Sequence, residues 1–368
     1  MQVNGENYRS IWPDPVDPGV VHIIDQTRLP HEFTTRELRG YKDGIDAIKT
    51  MAVRGAPLIG GTAAWSMYLA ALAAEKSPVP LDDIQRAAEQ LNAARPTAVN
   101  LKWATDRMLA RLNTTRDPAE FAHVARTEAQ AICDEDVAIS ESIGRNGLEI
   151  IRKLSAKKNG APVNILTHCN AGWLATIDWG TATAPIYKAW REGIPIHVWV
   201  DETRPLNQGS RITAWELHRE NIPHTLIVDN AGGHLMQSGQ VDVCITGTDR
   251  TTRTGDVANK IGTYLKALAA RDNNIPFYVA LPSTTIDWDS RNGLDDIPIE
   301  ERSEQEVTHI DGLLGSQIVN VQLAESSTPV SNYAFDITPS SLVTGLITER
   351  GLCEASESGL AELFPENA

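Results

Sequence analysis

The spacing of apolar residues changes once along this chain. From Thr34 to about Leu154 they recur at intervals of three and four among Ala, Glu, Gln and Arg. That rhythm predicts helices over 58–74, 81–94, 105–112 and 118–150. Two short strand-like pieces precede it, at 8–12 and 20–24, with Pro and Gly between them. Lys157-Lys158-Asn159-Gly160 is a polar break, and it divides a mainly helical domain with short strands, 1–155, from a second domain, 156–368. After Ala161 short β-rich runs at 163–166, 196–200, 225–228, 241–245 and 277–281 alternate with helical stretches at 181–192, 211–220, 232–239 and 258–271. Such alternation predicts βαβ units, right-handed crossovers and a parallel sheet, an α/β fold. Residues 359–368 read as a loose tail.

Two of the predicted strands run into polar turns that carry reactive side chains. One passes through Thr167 and His168 to Cys169-Asn170-Ala171-Gly172, the other through Thr246-Gly247-Thr248 to Asp249-Arg250. Ligands of open α/β sheets bind beyond the carboxyl ends of the strands, so a thiol and a carboxyl are expected on one rim, an acid–base pair. His168 either tunes the thiol or satisfies a loop carbonyl. Of the other cysteines, Cys244 reads as inert core, and Cys133 and Cys353 carry no assignable role.

Four further stretches could bind an anion. In Arg54-Gly55-Ala56-Pro57 an arginine suited to phosphate stands beside small residues that let backbone N–H groups approach, and Pro57 can open the following helix. A plain loop-to-helix junction would look the same. Arg95 precedes another polar turn, Pro96-Thr97-Ala98-Val99-Asn100, although an arginine at a helix end is also a common dipole partner. The run from Asp201 to Arg211, including Gln208, is dense in hydrogen-bonding groups at a sheet rim, or else a solvated loop. Asn259-Lys260 falls near the start of a helical run, where a bound anion would relieve the conflict between lysine and the helix dipole.

Composition narrows the function classes. The 368 residues suit two domains, and 42% hydrophobic content supports a substantial core. A net charge of −15 argues against nucleic acid as the main partner, because phosphate backbones need a basic face. The four scattered cysteines offer no zinc spacing and suit a reducing cytoplasm. No dinucleotide fingerprint or P-loop occurs, and the first residues do not have the pattern of a signal peptide. The apolar stretch 63–74, about a dozen residues, reads as a buried helix too short to span a membrane.

Taken together and in order, these motifs resemble the methylthioribose-1-phosphate isomerase family, in the superfamily that also holds translation-initiation exchange-factor regulatory subunits. The resemblance runs from Ile24-Asp25-Gln26-Thr27-Arg28-Leu29-Pro30 through the stretches around Arg54, Arg95, Cys169, Gln208 and Asp249 to residues 334–350, nearly the whole length. It implies a Rossmann-like second domain, a cleft against the smaller helical one, a homodimer, and neither cofactor nor metal. It also implies Cys169 and Asp249 as the catalytic pair, with Arg54, Gly55, Ala56, Arg95, Gln208, Asn259 and Lys260 binding a phosphosugar. Trp173 and Trp179 depart from the expected pattern, being bulkier than expected near the catalytic turn. Trp173 is one candidate wall for a methylthio group. The activity implied is aldose–ketose isomerisation of 5-methylthioribose 1-phosphate in methionine salvage. A sibling isomerase of another pentose 1-phosphate, such as ribose 1,5-bisphosphate, and a non-catalytic sugar-phosphate-sensing subunit are the alternatives.

Overall fold

The structure is a computed structural model that describes residues 1–95 and 98–367. Pro96 and Thr97 of the second arginine motif lie outside the described residues, as does Ala368.

Seven strands form the main sheet. In chain order they are Val163–Thr167, Ile196–Asp201, His224–Ile227, Val243–Thr246, Phe277–Ala280, Gly345–Thr348 and Gly351–Cys353. Counted along the chain, the first six stand in the spatial order 3-2-1-4-5-6, all parallel, and the seventh closes one edge as an antiparallel partner. This is the doubly wound Rossmann order, and it reverses between the first and fourth strands. The central strands are mainly apolar on both faces because both faces are covered, while the edge strand His224–Ile227 is half exposed. Ile165 packs with Ile186, Tyr187 and Leu217 on one side, while its neighbour Leu166 packs with Leu235, Met236 and Ala267 on the other.

The N-terminal part is built around the helix Ala56–Ala74, which is apolar on every side and buried at nearly every position. It is longer than the sequence pattern suggested. At 19 residues it is long and apolar enough to cross a bilayer by those two measures, yet 83% of its apolar window is covered by other parts of the chain. The helices Tyr41–Lys49, Pro80–Asn92 and Val99–Asn113 surround it, beside a three-stranded antiparallel sheet of Ile11–Pro13, Val21–Ile24 and Thr35–Leu38. The 35-residue helix Phe121–Ser155 joins the two regions. Its first half packs Phe121, Ala125 and Ile132 into the N-terminal core, and its second half packs Ile143 and Ile151 against the main sheet.

Several expectations fail for physical reasons. Thr35–Leu38 is a strand within a stretch read as helical, held by pairing with Val21–Ile24. The helix expected over 258–271 is the strand Val257–Lys260 followed by the helix Thr263–Asp272. Gly262, at φ +103°, makes the break, and the ring of His168 lies 3.0 Å from where a Cβ would stand. Val257–Lys260 belongs to a second, four-stranded sheet with Arg250–Thr252, Ile286–Asp287 and Phe335–Thr338, which periodicity did not predict. The final segment is not loose. Glu357–Leu363 is a helix capped by Ser356, and Leu360 and Phe364 are fully buried.

Candidate active site

Cys169 and Asp249 follow directly from the reversal in strand order. Their strands are parallel neighbours, with Ile165 opposite Val243 and Leu166 opposite Cys244. Both turns therefore leave the sheet at its carboxyl rim, at the switch point where such sheets bind ligands. Cys169 has φ +65°, a left-handed conformation uncommon for a residue with a side chain. Two threonines hold it there. Thr203 Oγ1 accepts from the Cys169 N–H at 2.8 Å, and the Thr213 hydroxyl donates to its carbonyl at 2.7 Å.

The two side chains share a cleft of about 670 Å³, mouth included, which is the scale of a small-molecule site. All nine residues singled out from the sequence line it: Arg54, Gly55, Ala56, Arg95, Cys169, Gln208, Asp249, Asn259 and Lys260. Met51, Asn170, Leu206, Arg302 and Phe335 also line it, and sequence reasoning missed them. Arg302 lies in an acidic, irregular stretch that carries no motif. Asn170 was visible only as a neighbour of the cysteine.

Asn170 is the joint between the two halves of the site. Arg54 donates to its Oδ1 and to its backbone oxygen, each at 2.6 Å. The Asn170 amide group donates in turn to Glu216 Oε1 at 3.1 Å, and Tyr187 donates to Glu216 Oε2 at 2.7 Å. Glu216 thus fixes which face of the amide meets Arg54. Gly55 caps the helix Ala56–Ala74 at φ +92°, where a Cβ would stand 2.3 Å from the Ala175 carbonyl oxygen, so only glycine lets this helix start approach the catalytic turn.

Charge and burial set the chemistry. Burial pushes the Asp249 carboxyl above its ordinary pKa, against the pull of Arg95, Lys260 and Arg54. Burial also raises the Cys169 thiol, with Arg54 and Lys260 opposing, and depresses Lys260. Lys260 ends its strand and does not start a helix, as the sequence had suggested. It lies over the Phe335 ring, its nitrogen 5.1 Å from the centroid. Gln208 is buried with its Oε1 lacking a partner among the described residues, an acceptor available to a sugar hydroxyl.

Two expectations about neighbours resolve differently. His168 turns away from the thiol. Its Nε2 donates to the Ile261 carbonyl at 2.8 Å and its Nδ1 meets Asp201 at 2.8 Å. His168, Asp201 and Asp229 are close enough to share a metal ion, but Lys266 sits 3.2 Å from Asp201 and already supplies a cation. Trp173 does not line the cleft. It is fully buried beneath the turn, packed near Trp215, and Trp179 lies under Lys188 and Arg191. Trp173 fills the core under the site, Trp179 packs half-buried at its margin, and neither lines the pocket.

Comparison with known proteins identifies the family. Residues 52–355 match the initiation factor 2 subunit family. Methylthioribose-1-phosphate isomerases of Paramagnetospirillum magneticum and Desulfatibacillum aliphaticivorans are 58% and 56% identical, covering 100% of this chain and 100% and 99% of their own. The crystal structure of 5-methylthioribose 1-phosphate isomerase from Pyrococcus horikoshii superposes with a TM-score of 0.84 at 38% identity, over 98% of this chain and 97% of that one. A structure from A. fulgidus named as the translation initiation factor eIF-2B delta subunit gives 0.80 at 39%, over 98% and 100%. The chain belongs to the initiation factor 2 subunit family and, within it, to the methylthioribose-1-phosphate isomerases.

Proposed function

We propose that Cys169 and Asp249 carry out the isomerisation of 5-methylthioribose 1-phosphate to 5-methylthioribulose 1-phosphate within this cleft. The observation that carries the reading is the convergence of a buried thiol, a buried carboxyl of raised pKa and the cations Arg54, Arg95 and Lys260 in one small pocket. The enzyme is an aldose–ketose isomerase of methionine salvage.

The chemical difficulty is that phosphate on the anomeric carbon blocks spontaneous opening to a free aldehyde. Asp249, whose carboxyl burial pushes above its ordinary pKa, gives a proton to the ring oxygen as the C1–O bond breaks. Hydrogen must then pass from C2 to C1. In one route it moves as hydride to the electron-poor C1, and the C2 hydroxyl proton returns to the Asp249 carboxylate. In the other, a Cys169 thiolate takes it as a proton, the electrons form the C1–C2 enol, and the thiol reprotonates C1 as the C2 hydroxyl proton passes to the Asp249 carboxylate. The raised thiol pKa favours the first route, because it keeps Cys169 neutral as a close, weakly polar wall. Arg54, Arg95 and Lys260, with the backbone at Gly55 and Ala56, hold the phosphate, and Gln208 and Asn259 face the sugar.

The unit 1–155 closes one side of the cleft and 156–368 the other. We assign the chain to the cytoplasm, where its four unpaired cysteines and a sugar-phosphate substrate are at home. We also assign it to a homodimer, supported by exposed apolar side chains at the sheet edge, Leu226 and Val228, and on the nearby helical layer, Leu265 and Leu268. The test is turnover of 5-methylthioribose 1-phosphate beside ribose 1,5-bisphosphate, without added metal or nucleotide. Preference for the first is expected, and preference for the second would move the enzyme to another pentose phosphate.

A further inference from the structure

Cys169 has a neighbour on each side in the chain, and each ties the catalytic turn to a cation of the cleft. Asn170 meets Arg54. On the other side the fully buried ring of His168 spans the gap between the main sheet and the four-stranded one. Its Nδ1 lies 2.8 Å from the carboxylate of Asp201, which ends the strand Ile196–Asp201 and is itself pinned by Lys266 at 3.2 Å. Its Nε2 donates to the Ile261 carbonyl at 2.8 Å, and Ile261 directly follows Lys260. The N–H of the same Ile261–Gly262 peptide donates to Asp336 at 2.7 Å, so both ends of that peptide are held. Asp201 also secures the cysteine. Its carbonyl accepts from the Thr203 hydroxyl at 3.1 Å, and that hydroxyl oxygen accepts from the Cys169 N–H.

We propose that His168 is a positioning residue for the isomerisation, a rigid spacer that fixes where Lys260 stands relative to Cys169. The inference rests on the isomerase reading and adds a residue to its machinery. His168 is not among the residues that line the cleft, whereas Lys260 and Cys169 both are, so the ring acts through them. Lys260 is a desolvated ammonium on a flexible stem, and it gains hydration by any backbone drift that lets it reach water. Holding the next peptide at both ends prevents that drift. Imidazole suits the task because its two nitrogens point apart from one stiff ring. An amide side chain reaches only one of the two partners.

The test follows from that difference in reach. His168→Gln places its amide nitrogen near the Nε2 position and keeps the Ile261 bond, whereas His168→Asn places it near Nδ1 and loses that bond. His168→Asn should lower kcat/KM for 5-methylthioribose 1-phosphate by about tenfold or more, and His168→Gln by no more than about threefold. In a Lys260→Met background the Asn change should cost less than about twofold, because the group that the ring positions is gone. Asp336→Asn releases the other end of the same peptide at a half-buried site. It should show the same reduced cost beside Lys260→Met, and it serves as the second variant if His168→Asn does not melt cooperatively. Equal losses for Gln and Asn, or losses that multiply in the double variants, would mark a role in folding alone and overturn the assignment. Calorimetric affinity for inorganic phosphate separates this inference from the reading beneath it. If the wild type did not turn over the sugar phosphate, yet phosphate affinity fell in His168→Asn and the fall vanished beside Lys260→Met, the positioning role would stand and the isomerase reading would fall. Phosphate affinity indifferent to His168→Asn in that case would remove the positioning role too.

Discussion

Arg54 grips Asn170 with two hydrogen bonds of 2.6 Å, one to the side-chain oxygen and one to the backbone oxygen. The contact joins residues 116 positions apart. It ties the start of the buried N-terminal helix to the turn that presents Cys169. The anion-binding half of the site and the reactive half are thereby one rigid unit, which positioning chemistry requires. Arg54→Lys keeps the charge but loses the fork. Losing one charge-assisted bond costs about 1.5–3 kcal/mol, so kcat/KM should fall by roughly ten- to a hundredfold. Steady-state kinetics check this, and an unchanged kcat/KM would separate the grip from catalysis.

Asp249→Asn on either route, and Cys169→Ser if the thiolate route operates, should reduce kcat by about a thousandfold or more while phosphosugar binding persists. Calorimetry on the inactive variants tests the second half. Substantial turnover in both would sink the role assignment.

The raised pKa of Cys169 makes a neutral thiol the resting form. Substrate deuterated at C2 should therefore give product with the label retained at C1, read by proton NMR. Loss of the label to solvent would favour abstraction by a thiolate.

Burial raises the Glu216 carboxyl from 4.5 to about 7 and the Asp136 carboxyl from 3.8 to about 7. A raised folded-state pKa contributes stability that is fully present below the unfolded value and is lost as pH rises through the folded one. Each group should thus cost on the order of 3 kcal/mol between about pH 4 and pH 7, before other titrations are added. Glu216→Gln keeps hydrogen-bonding groups beside Asn170 and Tyr187 but removes one titration. Its unfolding free energy in urea should fall less than that of the wild type between pH 5 and pH 8. Parallel curves for the two proteins would contradict the assignment.

Gly55→Ala should destabilise the chain by about 2 kcal/mol or more, because the added carbon meets the Ala175 carbonyl in a backbone conformation that alanine rarely adopts. Thermal unfolding measures it. The same change should impair activity, since Ala175 also lines the cleft.

The sequence by itself determined the elements whose burial is uniform. The strands through Ile165 and Val243 are mainly apolar on both faces, and the spacing of the strand-like runs predicts helical crossovers and a parallel sheet. It also placed Cys169 and Asp249, because a polar turn after a buried strand marks the sheet's ligand-binding rim. Tertiary structure decided what local pattern does not encode. The strand Val257–Lys260 looks like the start of a helix until it pairs with Phe335–Thr338, 75 residues further on by the Lys260–Phe335 register. Arg302 and Asn170 became part of the site only when distant segments met, and Trp173 left it when its ring found Trp215 in the core. Periodicity reports whether a side chain is buried. Which neighbours bury it, and whether they leave a pocket, is fixed by contacts between residues far apart in the chain.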